Sequence, residues 1–223
     1  MASSPAPVNV AGQAYAPPAG ALDLTLVTVP AGQLIHRVHE QKHTPLSFNP
    51  GFGWARFSPI ADASGEQIPT IYGGFTFRCA LLETVFHDVA YAPGFKQLGR
   101  SKLNDLLHSV VRPLQDLRLV DLGTVALRRL GPKRSQIIDT ESTEYAITQQ
   151  WAARFHAQDT TVQGIRWTSR QDDQTFAVVL FGDRIDSTAL SEAAASRSLL
   201  TDAYAEVVGV ADEIGVMLVD ATI

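Results

Sequence analysis

The segment that most limits how this chain can fold is residues 68–88, IPTIYGGFTFRCALLETVFHD. A β-prone run, Pro69–Tyr72, meets a glycine pair, Gly73-Gly74, that breaks it, and an apolar segment that reads as a helix starts at about Phe75. At helical spacing Glu83 shares one stripe with Thr76, Cys79, Ala80, Phe86 and His87, while Leu81 and Val85 occupy the opposite face. Such a helix is built for burial, where an unpaired carboxylate costs several kcal/mol. Glu83 is therefore either paired with an arginine or held at the helix rim, or it points into a pocket and works there. The helix alone leans to the first reading.

The rest of the chain reads as mixed α+β with a mostly antiparallel central sheet and flanking helices. Its 223 residues suffice for one good core, so a single domain over residues 23–223 is expected. Residues 1–22, rich in Ala, Pro, Gly and Ser, have little to bury and read as a mobile tail. Leu24–Val29 and Leu34–Val38 read as strands, and Gln41–Ala55 as a loop that delivers Trp54, Ala55, Arg56 and Phe57. Leu103–Val111 suggests a helix stopped by Pro113, whereas Leu117–Leu122 and Thr124–Leu127 read as strands. Acidic and cap-type residues at 139–141 open a helix over Ser142–Ala157, with Ile147, Trp151 and Phe155 as its core stripe. Gly164–Ser169 and Phe176–Phe181 form a strand pair. Beyond 187 a helical extension is expected, covering Thr188–Val210 with a break near Ser198, then a closing strand at Gly215–Asp220.

Several function classes are disfavoured. No apolar run reaches the roughly 18 residues of a membrane span, and the first basic residue is Arg37, unlike the start of a secretory signal. The single cysteine, Cys79, rules out an intramolecular disulfide framework and suits a reducing, cytoplasmic setting. A net charge of −5 argues against nucleic-acid binding, and the pairs Arg128-Arg129 and Lys133-Arg134 read as a solvated turn. Phosphate-loop, dinucleotide-fingerprint, nucleophile-elbow and HExxH patterns are absent. His36, His39 and His43 fit no zinc spacing, so no metal is expected, and Cys79 beside His87 makes a weak nucleophile pair.

What remains is a polar set at strand ends and loop tips: Arg37, Arg56, Tyr72, Glu83 and Ser169. No base stands ready to activate the serine, so a hydrolytic triad is not formed. The set does suit a dinucleotide. Arginine forks grip a pyrophosphate, a tyrosine ring stacks on nicotinamide, and a carboxylate holds a ribose hydroxyl and stabilises an oxocarbenium-like transition state. Structural roles compete residue by residue: Arg37 paired with Glu40, Arg56 pinning its own loop, Tyr72 in the core, Ser169 in a turn.

The ordered motifs HRV (36–38), WARF (54–57), IPTIYGG (68–74), ALLETVFHD (80–88), GIRWTS (164–169) and VVLF (178–181) resemble the RES domain family, named for an arginine, a glutamate and a serine. The resemblance spans residues 34–181. It implies an ADP-ribosyltransferase-like fold and a bacterial toxin that consumes NAD at the nicotinamide–ribose bond, by phosphorolysis or hydrolysis, with no metal. Transfer of ADP-ribose to a protein is the alternative, and a catalytically silent binding module a more distant one. It also implies an Xre-like antitoxin as partner and phosphate as a possible co-substrate. Arg37, Glu83 and Ser169 take the catalytic positions by resemblance, and Arg37, Arg56, Tyr72 and Ser169 the NAD-binding ones. Two departures stand out. Val38 replaces a tyrosine found after the first arginine in some members, and a serine that some members carry near the later helix corresponds here to Ser142, Thr143 or Ala146.

Overall fold

The computed structural model describes residues 14–220. Its strands and helices follow in the order β1 (Leu26–Val29), β2 (Ile35–Glu40), β3 (Ile60–Ala61), β4 (Gln67–Ile68), β5 (Thr70–Gly74), α1 (Phe77–Thr84), β6 (Lys96–Gly99), β7 (Leu106–Pro113), β8 (Leu117–Asp121), α2 (Thr124–Leu130), α3 (Tyr145–Gln158), β9 (Gly164–Thr168), β10 (Phe176–Phe181), β11 (Leu190–Ser198), α4 (Tyr204–Glu213) and β12 (Val216–Val219). The main sheet has eight strands in the order β1-β8-β9-β10-β5-β2-β7-β11. Only β8 and β9 run parallel within it, so the α+β, mostly antiparallel expectation holds. β12 and β6 form a separate parallel ribbon, and β3 and β4 a short hairpin.

The centre of the sheet is apolar on both faces. Along β10, Ala177, Val179 and Phe181 join a core built on α3, while Val178 and Leu180 alternate into a second core with Ile35 and Val111. A continuous FAVVLF run is what a strand covered on both sides requires. Trp151 and Phe155 of α3 are fully buried in the first core, and Ile147 is half-buried. A third core joins Leu81, Leu82 and Phe86, from α1 and just beyond it, to Val207, Val210 and Ala211 of α4.

A gap in the sheet sets up the site. β5 pairs with β10 along its whole length, and β2 pairs with β7 over Ile35–Glu40, yet β2 and β5 meet only at His36 and Gly74. Beyond that point the two strands part. The glycine pair, expected to break the strand, instead forms its last two residues and permits this crossing. A Cβ on Gly73 would lie 2.5 Å from Ile35 Cγ2, and one on Gly74 would lie 2.7 Å from Cys79 Sγ. Thr76 then caps α1, its hydroxyl accepting from the Cys79 amide at 3.1 Å.

Three expected elements differ. Most of Leu103–Val111, expected as helix, lies in β7 (Leu106–Pro113), because an apolar run flanked by two open strand edges gains more from ladder pairing than from helical propensity. Thr124–Leu127, expected as strand, and Arg128-Arg129, expected as a turn, belong to α2 (Thr124–Leu130), which starts after Gly123 and stops at Gly131 with φ 111°; the two arginines complement its C-terminal dipole. The alanine-rich run 190–198, expected as helix, is β11, an edge strand on β7, and only Tyr204–Glu213 is helical. The closing strand appears as β12, at Val216–Val219. Of the tail expected over 1–22, residues 1–13 lie outside the described residues, as do 221–223 of the extension. Residues 14–22 are laid along α3: the Trp151 indole N–H donates to the Tyr15 carbonyl, and Leu22, 7% exposed, exchanges two hydrogen bonds with the Gln158 amide.

Candidate active site

α1 carries Glu83 to a cavity of about 340 Å³ where β2 and β5 part, walled by Val38 of β2, by Tyr72 and Gly73 of β5, and by Arg56, His87, Tyr145 and Trp167. Glu83 is held by Ser169, whose hydroxyl donates to Glu83 Oε1 at 2.6 Å. The same hydroxyl accepts from the amides of Gln171 at 3.0 Å and Asp172 at 2.9 Å. Ser169 is fully buried, and its one donor and two lone pairs are all engaged. Glu83 Oε2 has no protein partner among the described residues, so the fixed carboxylate keeps one oxygen for a ligand.

Arg56 reaches the cavity from a turn clamped to α3. Gln149 donates to the carbonyls of Ala55 and Ser58, both at 2.9 Å, and the Thr148 hydroxyl donates to the Arg56 carbonyl. The guanidinium donates to the Thr140 carbonyl and hydroxyl and lies 5.0 Å from the centre of the Tyr145 ring. Burial draws its pKa down, and Tyr145, Glu83 and Tyr72 pull the other way. Tyr72 accepts from the Phe57 amide at 3.0 Å, and burial pushes its hydroxyl up to about 12. It therefore offers the cavity a neutral ring.

Arg37 is buried beside this cavity, not in it. Its Nη1 donates to the carbonyls of Pro45 at 2.6 Å and Thr44 at 3.5 Å, and burial lowers its pKa to about 10, which still leaves it charged at neutral pH. Glu40 pairs with Lys42 at 2.5 Å, not with Arg37. Arg37 lines a second cavity of about 630 Å³ with Lys42, His43 and Phe52, and Val38 and Thr84 belong to both cavities. Among the described residues neither Arg37 nor Arg56 has a carboxylate within 4.0 Å. A fixed carboxylate and two buried arginines that lack a close ion-pair partner among the described residues thus line two adjoining cavities, an arrangement suited to an anionic ligand with a carboxylate-seeking end.

The five residues singled out in the sequence fall together: Arg56, Tyr72 and Glu83 on one cavity, Ser169 behind Glu83, and Arg37 next door. Ser142, Thr143 and Ala146 are exposed and line no part of the Glu83 cavity. Cys79 is buried and its thiol is pushed up to about 12 by burial, with the Glu83 charge adding to it, so it stays an unreactive thiol. His36 contacts His108 at 2.9 Å and His39 contacts Ser109 at 2.7 Å. Sequence reasoning passed over Tyr145, Trp54 and Trp167, and gave His87 no place in the site. Tyr145 follows an acidic cap region and reads as a first-turn helix residue, and the Trp54 indole N–H finds the Ser142 carbonyl at 3.1 Å only once the chain has folded.

A model of the RES domain family matches residues 34–202, which take in every residue of this site and extend through β11. The chain belongs to the RES domain family. No curated protein matches it. Among the described residues no helix is long and apolar enough to cross a membrane.

Proposed function

We propose that this RES domain protein is a bacterial toxin that consumes NAD by cleaving the nicotinamide–ribose bond, and that an Xre-like antitoxin encoded with it neutralises it. The observation that carries the reading is a carboxylate, Glu83, fixed by Ser169 in a cavity with Arg56 and adjoining the cavity that Arg37 lines, neither arginine having a carboxylate within 4.0 Å among the described residues. In this reading Arg56 and Arg37 hold the pyrophosphate bidentately, and the neutral face of Tyr72 receives the nicotinamide. Glu83 Oε2 takes a ribose hydroxyl and stabilises the positive charge that builds at C1′ as neutral nicotinamide departs. Ser169, its hydroxyl fully spent, works through Glu83 and does not touch the substrate. No residue here needs a metal for this chemistry. A cytoplasmic location is part of this proposal, and the unpaired thiol of Cys79 is consistent with it.

The test is nicotinamide release from NAD by the purified protein, with and without phosphate, while the ribosyl product is followed. Release in either buffer that Glu83→Gln reduces by about 10²-fold or more, at unchanged stability, supports the reading. No release in either buffer, or full activity in Glu83→Gln, overturns it. A labelled protein in place of a free ribosyl product would identify a protein acceptor.

A further inference from the structure

His87 lies four residues past Glu83, beyond the end of α1, and lines the same cavity. Its Nδ1 is 2.7 Å from Asp88 Oδ1, and a carboxylate only accepts, so the ring proton sits on Nδ1. The lone pair is then on Nε2. There it meets the Tyr145 hydroxyl at 3.3 Å, a contact long enough for a ligand hydroxyl to displace. His87 and Tyr145 also form the wall between the Glu83 cavity and a smaller polar cavity of about 240 Å³ that Arg170 and Glu141 line. An imidazole oriented by a carboxylate, with its free nitrogen on a wall shared by the reaction cavity and a polar entrance, is the arrangement of a general base.

We propose that His87 is the base that activates water as the ribosyl acceptor, and that water arrives through this neighbouring polar cavity. The proposal rests on the NAD-cleavage reading and settles on hydrolysis within it. The C1′–N bond breaks and its electron pair leaves with neutral nicotinamide. The water oxygen forms the new C1′–O bond, and its proton passes to His87 Nε2 and then to solvent, giving ADP-ribose, nicotinamide and one proton. Phosphate dianion, already ionised at its attacking oxygen, needs no such base. The charged and titratable groups around His87 are Asp88, Glu83, Arg56, Tyr72 and Tyr145, with Tyr91, Glu141 and Arg170 on the far cavity.

The test compares full-length wild type with His87→Gln and His87→Ala, measuring ADP-ribose against ADP-ribose phosphate across a pH series with and without phosphate. Expected is a loss of hydrolytic turnover of about 10²-fold or more in His87→Gln, with phosphorolysis, if present, left intact. Added imidazole should restore hydrolysis to His87→Ala. Unchanged hydrolysis in His87→Gln, equal loss of both reactions, or a wild type whose product is only the phosphate adduct overturns the proposal. A wild type that consumes no NAD at all fails the preceding reading first, so the two failures are told apart.

Discussion

Replacing Ser169 with alanine tests whether Glu83 is held in place or merely nearby. The hydroxyl makes a 2.6 Å donation to the carboxylate, and such charge-assisted bonds contribute about 1.5–3 kcal/mol. Ser169→Ala also leaves the amides of Gln171 and Asp172 without their acceptor, and Asp172, 6% exposed, is too deep for easy rescue by water. Its unmet amide adds about 1 kcal/mol or more. The loss in unfolding free energy should therefore be on the order of 2–4 kcal/mol, within the 5–15 kcal/mol of a typical domain, so the variant folds. Chemical denaturation measures that figure, and steady-state NAD turnover measures the consequence. A carboxylate free to rotate should lower kcat by about 10- to 100-fold with KM nearly unchanged. In a double-mutant cycle with Glu83→Gln, the second loss should be far smaller than the first. Wild-type stability and kcat in Ser169→Ala would refute the positioning role, and a raised KM at constant kcat would show that the serine contacts substrate after all.

Three further outcomes follow from the fold. His108, 4% exposed, donates to His36 while accepting from Arg197 at 3.2 Å; burial, then the nearby charges, lowers its pKa to about 3, and burial lowers that of His36. The unfolded chain takes up these protons first, so stability is complete above about pH 6.5 and falls as pH drops towards 3; at pH 5 His108 alone should cost about 2 kcal/mol by denaturation, a slope that His108→Gln should flatten. Trp151→Ala should cost about 3–5 kcal/mol and lower Tm by about 10 °C in a thermal melt, because a fully buried indole leaves a cavity between α3 and the sheet. Gly73→Ala should destabilise by about 1–3 kcal/mol and abolish NAD turnover, since its Cβ would press on Ile35 Cγ2 at 2.5 Å and the His36 carbonyl at 2.9 Å and move β2 away from β5; unchanged activity would show that the cavity does not depend on this crossing.

Wherever an element's own residues decided its form, the sequence was enough. The FAVVLF run read as a strand, the Trp151–Phe155 stripe read as core, and the order of short motifs marked Arg37, Arg56, Tyr72, Glu83 and Ser169 as a set. Elements whose form depends on neighbours were misread. LLHSVVRP has apolar content that suits helix or strand, and two open strand edges on either side decided for strand. The alanines of 193–195 favour helix in isolation, yet they lie within β11, whose pairing with β7, through Ala194 among others, makes this stretch a strand. The site divides in the same way. Residue types picked out its candidate members, but Ser169 and Glu83 are 86 positions apart, and only the meeting of α1 with the end of β9 shows the Ser169 hydroxyl bonded to the Glu83 carboxylate. Tyr145 and His87 had no local signature, because only folding brings them to one cavity. What a sequence determines is what a segment can bury; which groups share a cavity is decided by packing, since hydrogen bonds and charge effects depend on distances that only the folded chain sets.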